Sequence, residues 1–214
     1  MYFEDKTKPW QKQLGQPNYD LNYHQHQKLL SGAFWVYKPC STMKIELDPD
    51  FCLHPLQPSY AKSLFGILTG HRSHFSRWLP FVNDLFSIEQ TEKYIRESQL
   101  LWAAKRDFSF AILKNNRARG LISAKDLNWL EKSTELGYWL DPTLQNKGIM
   151  TNALNCLIEF LIREHGFRTF WIKCAQSNLS SQRVAIKAGF ALMGVESREG
   201  RENAEIFHIY CREA

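Results

Sequence analysis

The chain has 214 residues, enough for one substantial domain or a domain with an appendage. It is 44% hydrophobic and 14% aromatic, which favours a packed globule. Its formal charge of +5 is scattered, with no long basic run, so direct nucleic-acid binding is not expected, and no apolar stretch is long enough to span a membrane.

Residues 1–43 read as a polar N-terminal extension, solvated and disordered by composition. Gln, Asn, Tyr, Lys and His dominate there, and Tyr23-His24-Gln25-His26-Gln27 has no periodicity. No carboxylate or cysteine is spaced to make His24 and His26 a metal site, and the polar start does not read as a signal peptide. A domain over residues 44–214 follows. Met43 stands at the boundary, and an extension or a start codon placed too early would equally account for what precedes it. Phe51–Leu56 predicts a first strand, ended by Pro55 and Pro58. Ser59 is placed to cap a helix carrying Ala61, Leu64, Phe65 and Leu68 on one face. His71–Pro80 is a loop or short helix holding Phe75, Trp78 and Leu79. Ser87-Ile88-Glu89-Gln90 has the form of a capping box, and the helix after it should bury Tyr94, Ile95, Leu101 and Trp102.

Three strands come next, Phe108–Leu113, Gly120–Asp126 and Ser133–Leu140. Asn115-Asn116 is turn chemistry and Asn128–Glu131 a short link, so the three predict an antiparallel meander. Asp141-Pro142 stops the last strand. Gln145-Asn146-Lys147-Gly148-Ile149-Met150 then opens a helix: Ile149, Met150, Ala153, Leu154, Leu157, Ile158, Leu161 and Ile162 recur at helical spacing until Gly166. Arg168–Ala175 predicts a parallel strand, Asn178-Leu179-Ser180-Ser181 a second helix start, and Gly189-Phe190 its end. Gly194–Arg198 and Ala204–Arg212 are closing strands. The sum is an α/β fold with a mixed sheet (α+β), a meander followed by a parallel strand–helix–strand crossover.

The turn at Gln145–Thr151 suits an anion. The first N–H groups of a helix have no intrahelical partner, and the macrodipole adds partial positive charge. Gly148 lets backbone approach a phosphate or pyrophosphate, and Lys147 adds charge. The five cysteines, Cys40, Cys52, Cys156, Cys174 and Cys211, form no C-x-x-C pair and read as reduced packing residues of a cytoplasmic protein.

Gln145-x-x-Gly148 before a helix is similar to the acetyl-CoA pyrophosphate motif of the GNAT N-acetyltransferase superfamily. Glu135-Leu136-Gly137-Tyr138-Trp139-Leu140-Asp141, Trp171-Ile172-Lys173-Cys174, Asn178-x-x-Ser181 with Gly189-Phe190, and Trp78-Leu79-Pro80 resemble its RimJ/RimL branch, above all the ribosomal-protein serine acetyltransferases. The likeness runs from about Phe51 to Tyr210.

The resemblance implies the acyl-CoA N-acyltransferase fold, in which two central strands splay. Acetyl-CoA would lie between the strand ending at Leu140 and the one ending near Ala175. Its pyrophosphate would sit on Gln145, Asn146, Lys147, Gly148, Ile149, Met150 and Thr151. Met150 departs from the family's Gly or Ala, but only backbone amides are needed there. Asn178 matches a residue bonding the pantetheine amide, or is an ordinary cap. Ser181 matches a serine contacting the thioester sulfur, or is a helix-start residue. Many superfamily members use a tyrosine one turn later, where this chain has Ala185. Glu135 and Glu199 are the alternative general bases, each with a structural or surface reading beside it. The first two helices would form one wall of the acceptor groove.

The expected function is acetyl-CoA-dependent N-acetyl transfer to a primary amine, most simply a protein or peptide N-terminus of the ribosomal-protein type. The alternatives are a small-amine acetyltransferase (antibiotic or polyamine) and a non-catalytic CoA-binding interaction module. Acetyl-CoA is the co-substrate, with no metal, no direct nucleic acid and no membrane partner. A homodimer is left open.

Overall fold

The computed structural model describes residues 43–199 and 204–214, apart from the side chains of Arg198, Glu199 and Ala204. His24, His26 and Cys40 lie outside the described residues. The elements run β1 (Ile45–Glu46), β2 (Phe51–Pro55), α1 (Ala61–Gly70), α2 (Arg72–Phe75), α3 (Ile88–Ala103), β3 (Phe108–Lys114), β4 (Arg117–Asn128), β5 (Ser133–Leu140), α4 (Ile149–His165), β6 (Thr169–Ala175), α5 (Leu179–Lys187), β7 (Ala191–Glu199) and β8 (Ala204–Glu213). The strands form one mixed sheet ordered β1-β2-β3-β4-β5-β6-β8-β7. Every neighbouring pair is antiparallel except β5 and β6. The predicted meander and crossover are both present. Among the described residues no helix is long and apolar enough to cross a membrane.

Period-two alternation sends successive strand residues to opposite faces. On one face, Phe110, Ile122, Leu136 and Phe170 meet Leu154, Leu157, Ile158 and Leu161 of α4, all fully buried. Burying each such side chain is worth about 1.5–3 kcal/mol, so this stripe is what holds α4 across the sheet. Gly166 ends the helix in the left-handed region, at φ 70°. The other face packs Ala111, Leu113 and Leu121 against Leu64 of α1 and Ile95 of α3.

Several local expectations change. Edge strand β1, two residues long, was below the reach of any periodicity. The turn Pro58–Tyr60 precedes α1, whose N-cap is Tyr60 and not Ser59. On α3 the buried stripe is Thr91, Ile95 and Ser98, while Tyr94 is exposed. Small polar residues fill the close-packed face there, and the Ser98 hydroxyl donates to the Tyr94 carbonyl at 2.9 Å. The capping box forms as read, with Gln90 Oε1 accepting from the Ser87 N–H at 2.9 Å.

The feature that matters for function is where β5 leaves β6. They pair only at Ser133–Thr169, Thr134–Phe170 and Glu135–Trp171. Beyond that, β5 stays on β4 as far as Leu140 and β6 stays on β8 as far as Ala175. Gly120 makes the β4–β5 half tight: a Cβ there would stand 2.6 Å from the Trp139 carbonyl oxygen. The sheet therefore opens as a V whose apex is Glu135 and Trp171.

Candidate active site

The mouth of the V is built from the end of β5. Asp141, buried, ion-pairs with Arg119 at 2.7 Å. Its carboxylate also accepts from the Thr143 N–H at 2.9 Å and the Thr143 hydroxyl at 2.7 Å. This fixes the Pro142–Leu144 turn. Asn146 and Gly148 then take φ values of 61° and 78°, the left-handed region that Asn tolerates and Gly adopts freely. Gly148 is the N-cap of α4, and nothing lies within 4 Å of where its Cβ would be. Ile149 and Met150 are buried in the core, so their side chains leave the helix end to backbone N–H groups. The departure at Met150 is thus absorbed by the core.

Gln145 folds back on this turn. Its Nε2 donates to the Leu140 carbonyl and to His74 Nε2, each at 3.3 Å. Two acceptors fix the amide's orientation and require a neutral His74 with its proton on Nδ1. Burial, with His71 and Arg77 beside it, pushes the His74 imidazole below its ordinary range.

The opposite lip is the start of α5. The Asn178 side-chain oxygen accepts from the Ser181 N–H at 3.1 Å, so any bond from this side chain to a ligand acceptor would come from its amide nitrogen. The Ser181 hydroxyl donates to the Tyr138 phenol oxygen at 3.1 Å, and the phenol donates to the Ser181 carbonyl, also at 3.1 Å. Burial pushes the Tyr138 phenol up. Burial also raises the Cys174 thiol, against the opposing hydrogen bond from Ser181. Ala185, one turn on, is fully buried, so a side chain at that position faces the core.

These parts enclose a cleft of about 640 Å³. Leu140, Gln145, Asn146, Gly148, Ile149, Met150, Thr151, Asn178 and Ser181 all line it, while Lys147 is exposed and outside the lining. Among the described residues that line it, the fixed charges are Arg77, Arg183 and Lys187, with no carboxylate. A polyanion fits that balance. Phe75, Trp78, Leu79 and Trp139 supply an apolar wall from α2, the stretch after it and β5. Among the described residues no His, Cys, Asp and Glu group could hold a metal ion.

The two glutamates fare differently. Glu135 sits at the apex of the V, outside the cleft lining, with Lys173 Nζ at 3.6 Å. Lys173, nearly buried, also reaches Glu196 at 3.7 Å. Glu199 ends β7, and its side chain is outside the described residues. Tyr138, Glu196, His74 and the three cleft cations escaped the sequence reading. Tyr138, His74 and Glu196 acquire their places through partners remote in the chain, and no spacing rule reports such pairings.

Residues 50–191 match the family described as the acetyltransferase (GNAT) domain. The ribosomal-protein-serine acetyltransferase of Escherichia coli (strain K12) is 30% identical over 153 residues, covering 72% of this chain and 86% of that protein. Two solved structures share the fold. One is a RimL ribosomal L7/L12 alpha-N-protein acetyltransferase in complex with coenzyme A, with TM-score 0.76, 24% identity and coverage of 80% of this chain and 98% of that one. The other is an acetyl transferase from Salmonella typhimurium that modifies the N-terminal serine of the 50S ribosomal subunit protein L7/L12. Its TM-score is 0.73, with 25% identity and coverage of 80% and 99%.

Proposed function

The chain belongs to the acetyltransferase (GNAT) family, and from that premise we propose that it is an acetyl-CoA-dependent N-acetyltransferase acting on a protein N-terminal amine of the ribosomal-protein type. The observation that carries the reading is the V itself. β5 and β6 part after Glu135 and Trp171, and a left-handed glycine opens a helix at the mouth. The cation-only lining and the open space beside Gly148 fit a pyrophosphate there. Backbone amides of Gln145–Thr151 would hold it. The parted edge of β5 and the Asn178 amide nitrogen would bond the pantetheine arm. The co-substrate supplies an acetyl group activated as a thioester.

This chain's residues then have two tasks. Ser181, half-buried at the cleft wall, donates a hydrogen bond to the sulfur as its negative charge develops. A base, Glu135 or Glu199 directly or through water, accepts the proton of the attacking amine. Glu135 is at the apex, ion-paired with Lys173 at 3.6 Å. The acceptor class follows from the cost of deprotonating the amine. An α-amino group titrates near 7.7–8.0 and a lysine near 10.4, so at pH 7 deprotonation costs about 1 kcal/mol for a peptide N-terminus and about 4.6 kcal/mol for a lysine. The branch relatives named for ribosomal-protein acetylation support the same acceptor, and such an acceptor implies a cytoplasmic setting.

The test is a paired assay at pH 7. One peptide has a free N-terminus and a blocked lysine; the other has the reverse. The first should react much faster. Equal rates, or a faster lysine, would remove the N-terminal assignment while leaving acetyl transfer in place.

A further inference from the structure

The phenol of Tyr138 takes no part in the chemistry above, yet both of its hydrogen bonds go to one residue. It donates to the Ser181 carbonyl and accepts from the Ser181 hydroxyl, each at 3.1 Å. Tyr138 stands three residues past the last β5–β6 pair, on the wall where the strands have separated, and it lines the cleft beside Ser181. Ala185, one turn on in α5, carries no hydroxyl and is fully buried. The phenol beside Ser181 therefore comes from the facing strand.

We propose that Tyr138 is a positioning residue for acetyl transfer, holding and polarising the Ser181 hydroxyl that donates to the departing sulfur. The inference rests on the acetyl-transfer reading of this cleft. The geometry allows two settings. In one, the serine proton lies on the phenol oxygen and the phenol proton on the Ser181 carbonyl, as observed. In the other, the phenol proton turns to Ser181 Oγ, and the serine proton turns into the cleft. The second setting is a chain of two donors, each strengthening the next. Burial keeps the phenol protonated through the physiological range, so it stays a donor. During transfer the C–N bond forms as the C–S bond breaks. The electron pair goes to sulfur, and the proton lost by the amine goes to the base. Ser181 and Tyr138 finish the step protonated as they began, having donated hydrogen bonds and no proton.

The test compares wild type, Tyr138→Phe, Ser181→Ala and the double variant on the N-terminal peptide, with acetyl-CoA binding followed by calorimetry. Removing a direct donor of this kind costs about a hundredfold or more in kcat, so loss of its supporting donor should cost about tenfold. Acetyl-CoA affinity should stay unchanged. Adding Tyr138→Phe to Ser181→Ala should cost nothing further, because the two act as one unit. An unchanged kcat in Tyr138→Phe, a lowered affinity in place of a lowered kcat, or a full additional loss in the double variant overturns the proposal. If the phenylalanine variant does not fold, 3-fluorotyrosine at 138 keeps the ring and makes the phenol more acidic. A stronger donor to Ser181 should then raise kcat at pH 7 severalfold at unchanged acetyl-CoA affinity, and an unmoved kcat overturns the proposal. Wild type inactive on every amine would overturn the underlying reading together with it.

Discussion

At the scale of single residues, the site depends on positions where a side chain is withheld as much as where one is supplied. Gly148 holds φ 78° at the start of α4, with open space beside its Cα. Aspartate there adds bulk and negative charge where three cations line the cleft for an anion. It also leaves a non-glycine residue in the left-handed region, at about 1–2 kcal/mol. Gly148→Asp should therefore remove measurable acetyl-CoA binding in calorimetry while leaving the far-UV spectrum intact. Unchanged affinity would move the pyrophosphate away from this turn. Gly148, Gln145, Asn178 and Ser181, which all line the cleft, could be singled out from sequence because each is marked by its own residue type within a short motif. Tyr138 could not. Nothing in Gly137-Tyr138-Trp139 says that this phenol meets Ser181, 43 residues away in the chain. The same holds for Glu196, whose carboxylate meets Glu135 only through Lys173 on an intervening strand.

At the scale of elements, what could be read in advance follows the range of the forces involved. α4 was legible because its apolar stripe repeats every three to four residues and its end carries Gly166. The meander was legible because its links are short, with Asn115 and Asn116 both at positive φ in the first. The order β6-β8-β7 was not, since local patterning is the same whichever of the last two strands pairs with β6. β1 was missed for its size, yet its surroundings tie it into the fold. Met43, Ile45 and Leu47 pack on the main core, and the Asn152 amide donates to the Leu47 carbonyl at 2.9 Å. That bond anchors the first turn of α4 next to the Gln145–Gly148 turn. A chain starting at Met43 should keep wild-type acetylation and melting temperature. One starting at Phe51 loses the edge strand and this bond, at about 1 kcal/mol for the bond alone, and should melt lower and bind acetyl-CoA less tightly. A Met43 chain that folds but does not acetylate would show that residues 1–42 contribute to the site.

At the scale of the whole molecule, two imidazoles at opposite ends of the sheet couple stability to pH with the same sign. His74 stands at the cleft mouth, and burial, His71 and Arg77 all push its imidazole down. His165 lies at the far end among Phe108, Trp129 and Phe160. Burial lowers it, Lys105 and Lys132 add to that, and Glu164 opposes them. Both are therefore more easily protonated in the unfolded chain, where imidazole titrates near 6.5. Above that pH neither group is charged in either state, and their contribution to stability is complete. As pH falls below it, the unfolded chain takes up protons first, so folding stability declines until the lowered folded-state values are passed. Asp107 has the opposite sign, because burial raises its carboxyl, but it acts in the lower carboxylate range. The urea midpoint should then fall between pH 7.5 and about 5.5, within the imidazole window. His165→Phe keeps a ring in the aromatic nest and should flatten that decline, and His74→Asn should flatten it further at the cost of the Gln145 bond. The two effects should add, since the sites share no partner. A wild-type midpoint that is level across the window, or variants with the wild-type slope, would show that these imidazoles are no harder to protonate in the fold than outside it.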